Sequence, residues 1–145
     1  SKDNLRMLTE IQKDRLVALI NKCEDEPLKK LIEAASKQWI SGNVLPKRND
    51  YGVTVKDDCY VSENRHSCLI SSAMIGEKSS YNPNTPGTSW FRKNIINNTL
   101  KRDASNKFGI NSRDITEIIC VFDGESEYAT YTGLVIKELY EILFL

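Results

Sequence analysis

The chain has one histidine, His66, no C-x-x-C pair among its four cysteines, no Gly-rich phosphate loop and no Ser nucleophile elbow. Each absence removes a class of function. A lone imidazole cannot build the paired-histidine sites of many metalloenzymes. Without the loop or the elbow, the common nucleotide-binding and serine-hydrolase readings lose their motif. No apolar run approaches the ~18 residues that a membrane-spanning helix needs, which argues against a membrane partner. Formal net charge is zero over 145 residues, so contact with nucleic acid or an anionic surface would have to come from a local patch. Cys23, Cys59, Cys68 and Cys120 are widely scattered, and the N-terminus alternates charged and apolar residues without a signal-peptide core. Reduced thiols and a cytoplasmic location are expected.

What is present is a charge pattern. From Ser89 to Arg113 the bases Arg92, Lys93, Lys101, Arg102, Lys107 and Arg113 face one acid, Asp103, for a net +5. From Asp114 to Leu145 one base, Lys137, faces Asp114, Glu117, Asp123, Glu125, Glu127, Glu138 and Glu141, for a net −6. Such blocks hold phosphate, dock a charged partner, or pair with each other inside one chain or between two. Arg92, Glu127, Glu138 and Glu141 are the partner-binding candidates, with the basic helix of one copy facing the acidic helix of another.

Apolar spacing predicts a mainly α fold of about six helices, with one small β-hairpin near residues 52–61. Leu16, Leu19, Ile20 and Cys23 follow the i, i+3, i+4, i+7 pattern, and an earlier piece near Leu5, Leu8 and Ile11 joins it or stands apart. Leu28, Leu31, Ile32, Ala35 and Trp39 form a second stripe between Pro27 and the stop at Gly42. Val53-Thr54-Val55 and Cys59-Tyr60-Val61 read as the hairpin strands. Ser67 is the expected cap of a short helix ending at Ile75, Ser89 of a long one from Trp90 towards Ser105, and Ser112 of one that Gly124 ends. A last helix is expected from about Ser126. A single domain spans residues 1–145, and the Pro/Asn-rich loop 78–88 is its best internal boundary.

Three constellations bear on chemistry. With Lys101 as position one, Ala104, Phe108, Ile110, Ile115 and Ile118 fill the apolar positions of a helix-turn-helix, and Ser105 and Gly109 fill its small ones. Residues 101–120 therefore resemble the DNA-binding motif of many repressors. That resemblance implies base contacts from Ser112, Arg113, Thr116 and Glu117, with Lys93, Lys101 and Arg102 on phosphate. Against it, Asp114, Glu117 and Asp123 place carboxylates on the reading helix, which duplex DNA repels. The second constellation, Cys59, His66 and Cys68, offers zinc ligands, with Cys23 or Cys120 as a fourth, or a Cys68 thiolate with His66 as base. The competing reading makes Cys68 a small buried apolar residue and His66 a surface residue. The third is carboxylate: Asp57-Asp58 and Asp123-Gly124-Glu125, which lack the spacing of a cation loop and read as turn and stop. No cofactor is signalled.

A helix ending in Trp39-Ile40-Ser41-Gly42 leads to the hairpin and then to Ser67-Cys68-Leu69-Ile70-Ser71-Ser72-Ala73. Ile118-Ile119-Cys120-Val121-Phe122-Asp123-Gly124 and a closing helix follow. From about residue 30 onward this order resembles small helical proteins of phage and prophage genomes. Those often carry Cys-Cys-Leu-Gly where this chain has Ser67-Cys68-Leu69-Ile70, and Asn-Asp-Gly where it has Phe122-Asp123-Gly124. The resemblance implies a mobile-element origin and action by binding a host component. The expected function is thus a non-enzymatic module that regulates or inhibits a protein partner. A helix-turn-helix DNA binder is the alternative, and a cysteine-dependent or zinc enzyme the third.

Overall fold

The computed structural model describes residues 7–48, 54–56, 59–61, 66–75, 89–125 and 129–145, with backbone alone at 54–56, 59–61 and 89–97. Six helices are formed among them: α1 (Glu10–Lys22), α2 (Glu26–Ile40), α3 (Leu69–Ala73), α4 (Ser89–Phe108), α5 (Ser112–Phe122) and α6 (Tyr131–Phe144). Four short strands lie between α2 and α3: β1 (Leu45–Pro46), β2 (Thr54–Lys56), β3 (Cys59–Val61) and β4 (His66–Ser67). The mainly helical architecture is the one the apolar stripes predict. β2 and β3 pair antiparallel, Val55 opposite Tyr60, which is the expected hairpin. β1 and β4 add a two-residue parallel ladder that no periodicity announces. Loop 78–88, Asp57-Asp58 and Glu127 lie outside the described residues.

Local chemistry sets the helix ends. Thr9 caps α1 with a reciprocal box: its hydroxyl accepts the Gln12 N–H at 3.1 Å, and Gln12 Oε1 accepts the Thr9 N–H at 2.9 Å. Asp25 caps α2 by accepting the Leu28 N–H at 3.0 Å, and Pro27 sits in the first turn, where no helical N–H is needed. Two expected caps and one expected helix start shift. Ser67 is drawn into β4, so Cys68 caps α3 through its sulfur. Asn111 replaces Ser112 at α5, because its amide oxygen reaches the Asp114 N–H at 2.8 Å. Thr130 starts α6, later than the expected Ser126, by accepting the Gly133 N–H at 3.0 Å.

The core gathers where α2, α5 and α6 meet. Trp39 is fully buried and stacks on Phe122, ring centroids 6.1 Å apart, and Phe144 meets Phe122 edge-on at 5.5 Å. The Trp39 indole N–H donates to Ser72 Oγ at 2.8 Å, and that hydroxyl donates to the Ser67 carbonyl at 3.3 Å. One side chain so ties α2 to α3 and β4. Around this centre α6 packs on α5 and α1, and α4 packs on α5, α2 and α3.

Candidate functional site

The turn between α4 and α5 is three residues long, Gly109-Ile110-Asn111. Gly109 takes φ +70°, a region that side chains disfavour, and its N–H and that of Ile110 both donate to the Ser105 carbonyl, at 3.0 and 3.2 Å. Ala104, Phe108, Ile110, Ile115 and Ile118 are all buried, as both a helix-turn-helix and a plain packed helix pair require. Ser112, Arg113 and Thr116 share an exposed face of α5, and on α4 Arg102 is exposed while Lys101 is half-buried. Arg102 Nε lies 3.9 Å from Asp103 Oδ1. The carboxylates that oppose DNA have local partners: Asp114 accepts the Asn111 side-chain N–H at 3.1 Å, and Glu117 accepts the Thr130 hydroxyl. The side chains of Arg92 and Lys93 lie outside the described residues.

The Cys–His set is spread over two environments. Cys68 is half-buried and its sulfur faces Ser71, 3.3 Å from the hydroxyl and 3.5 Å from the backbone N–H. His66 is half-buried two residues earlier, on β4, and lines a groove beside α1 and α6. Cys23 is buried with its sulfur 3.6 Å from the Asp25 carbonyl, and Cys120 is half-buried on α5. Among the described residues no three of His, Cys, Asp and Glu gather as a metal site. The Cys59 side chain lies outside them. Nor is any helix among them long and apolar enough to cross a membrane.

A surface that motif reading passes over is formed by α1 and α6. Ile11, Arg15, Ala18 and Lys22 recur at i, i+4, i+7 and i+11 on the exposed side of α1; on α6 Leu134 and Glu141 are exposed on the same side as the half-buried Glu138, with Leu145 just past the helix end. A 2.7 Å contact between Lys22 Nζ and Glu138 Oε1 joins the two stripes. The Tyr131 hydroxyl accepts the Glu24 N–H at 2.8 Å, and Gln12 Nε2 donates to the Ile142 carbonyl at 3.2 Å, so the helices run antiparallel. At the end near Gln12 opens a groove of ≈ 210 Å³ walled by Met7, Leu45, Pro46, His66, Leu143 and Phe144.

No family model, curated protein or solved structure matches the chain. The surfaces themselves carry the functional argument. Of the partner-binding candidates, Glu138 is engaged with Lys22 on this shared face and Glu141 is exposed one turn on. The sequence does hold a signal for the face, since Ile11 falls outside the buried stripe of Leu16 and Leu19. It was hidden because an apolar residue near a helix start normally reads as core.

Proposed function

We propose that this chain is a non-enzymatic module that binds a protein partner and regulates or inhibits it, using the outer face of α1 and α6. The observation that carries the reading is where the exposed apolar bulk lies. Among the described residues the exposed large apolar side chains are Met7, Ile11, Val17, Tyr131, Leu134 and Leu145, every one in or beside these two helices, with Val17 about 120° round α1 from the Ile11 stripe. Ile11 is 72% exposed and Leu134 55%. Isolated exposed leucines mean little, but concentration on one pair of packed helices, interleaved with Arg15, Lys22 and Glu138, is the composition of an interaction surface. A mobile-element origin belongs to the same proposal, since small proteins of that kind often act by binding a host component.

The test compares the full chain with an Ile11→Asp, Leu134→Asp double variant. Both sites are exposed, so stability should change by no more than about 0.5 kcal/mol per site. Immobilised wild type should retain a protein from extract of the source cells that the double variant releases. Equal retention by both, or by neither, removes the reading.

A second reading is favoured by a specific observation, the three-residue glycine turn that leaves Ser112, Arg113 and Thr116 exposed together. A helix so presented can enter a major groove. Fluorescence anisotropy with random-sequence duplex DNA at low salt tests it: salt-sensitive binding that Arg113→Ala weakens supports nucleic-acid contact, and no change at any protein concentration removes it.

A further inference from the structure

We propose that the groove at the open end of the α1–α6 pair is an anchor pocket for a partner segment that carries one large apolar side chain flanked by carboxylates. The inference rests on the protein-binding reading and names the chemistry of the partner.

Size comes first. At ≈ 210 Å³ the groove is smaller than the roughly 300–1,000 Å³ of sites that enclose a cofactor or a drug-sized molecule. It suits a single leucine, methionine or phenylalanine side chain, the kind of buried anchor that dominates binding energy at protein interfaces. The walls agree, since Met7, Leu45, Pro46, Leu143 and Phe144 are apolar. Of the polar residues, Gln12 is already spent: its amide caps Thr9 on one side and donates to the Ile142 carbonyl on the other. Among the described residues no carboxylate lines the groove.

Charge at the rim gives the second half of the proposal. Lys47 and Arg48 are exposed directly after β1, whose Leu45 and Pro46 form one wall. The Arg48 guanidinium lies over the Phe144 ring at 5.6 Å and the Tyr140 ring at 5.5 Å, and its Nη1 donates to the Tyr140 hydroxyl at 2.8 Å. Phe144 belongs to the groove wall, so the cation sits at the mouth. Two aromatic rings and one hydrogen bond hold it there, and a guanidinium has five N–H donors, so donors remain for an incoming carboxylate. A pre-positioned arginine loses little freedom on binding, which favours affinity. An acidic segment with an apolar anchor is therefore matched in both parts, and a basic one is repelled.

The full chain would be panned against a displayed random-peptide library, and selected peptides measured by fluorescence anisotropy. The expected consensus is one Leu, Met or Phe beside at least one Asp or Glu. Met7→Glu, at a half-exposed wall position, and Arg48→Glu should each weaken binding about tenfold or more, while Arg48→Lys retains part of it. Ile11→Asp, Leu134→Asp should leave these peptides bound, so the groove and the wider face are tested apart. Unchanged thermal melting controls for folding. Peptides of another consensus, peptides indifferent to Met7→Glu and Arg48→Glu, or no selected peptide at all would overturn the groove proposal and leave the wider reading to its own test. So would concentration-dependent dimerisation that Met7→Glu abolishes, because a second copy would then be the occupant.

Discussion

Trp39 is fully buried with its ring stacked on Phe122 and its N–H on Ser72, whereas Ser36, three residues earlier on the same helix, is buried with its hydroxyl unpartnered. These two residues give opposite predictions. Trp39→Ala removes the stacking and opens a cavity among α2, α3 and α5, and should cost about 3–5 kcal/mol in urea unfolding. Trp39→Phe keeps most of the apolar volume but leaves Ser72 without its indole donor, so about 1–3 kcal/mol is expected. Ser36→Ala removes a buried polar atom that has no partner and installs the best helix former. It should stabilise the protein by about 0.5–2 kcal/mol. A loss of stability at Ser36 would mean that the hydroxyl has a bond the structure does not show.

At the scale of elements, the α4–α5 turn isolates backbone strain from packing. An added Cβ at Gly109 meets nothing within 4 Å, yet the residue holds φ +70°. Gly109→Ala should therefore cost about 1 kcal/mol through conformation alone, seen as a lower midpoint in chemical unfolding. A much larger loss would indicate crowding. Helices were the elements most legible in the sequence. Stripes such as Leu28, Leu31, Ile32, Ala35 and Trp39 identify helices because a 3.6-residue period is a strong signal over fifteen residues. Helix starts are less legible, since several residues in a row can cap. Ser67-Cys68, Asn111-Ser112 and the stretch before Thr130 each offer competing side chains, and tertiary pairing decides among them. Ser67 was lost to a strand only because Leu45 and Pro46 lie beside it. A ladder of two residues has no period to read. The groove had none either: its walls come from chain segments more than 130 residues apart, Met7 to Phe144.

Over the whole molecule the helix packing sets part of the acidic block beside the basic one and part of it away. Of the acidic block, Asp114 and Glu117 stand on α5, which packs on the basic α4, whereas Glu138 and Glu141 stand on α6, which packs on α5 and α1. Lys22 of α1 is the ion-pair partner of Glu138 in the acidic block, and Arg102 in the basic block lies 3.9 Å from the neighbouring Asp103. With zero net charge there is little overall repulsion between copies, while opposite blocks on separate helices attract. Weak self-association through α4 of one copy and α6 of another is therefore expected at low ionic strength. Screening sets its signature, because the Debye length falls from about 30 Å at 0.01 M salt to about 3 Å at 1 M. Sedimentation should show a concentration-dependent rise in mass at the lower salt that disappears at the higher. Glu138→Lys with Glu141→Lys should remove it, whereas Met7→Glu should not, which separates this association from occupancy of the groove. A monomer at both salts would favour pairing of the two blocks within one chain over pairing between copies.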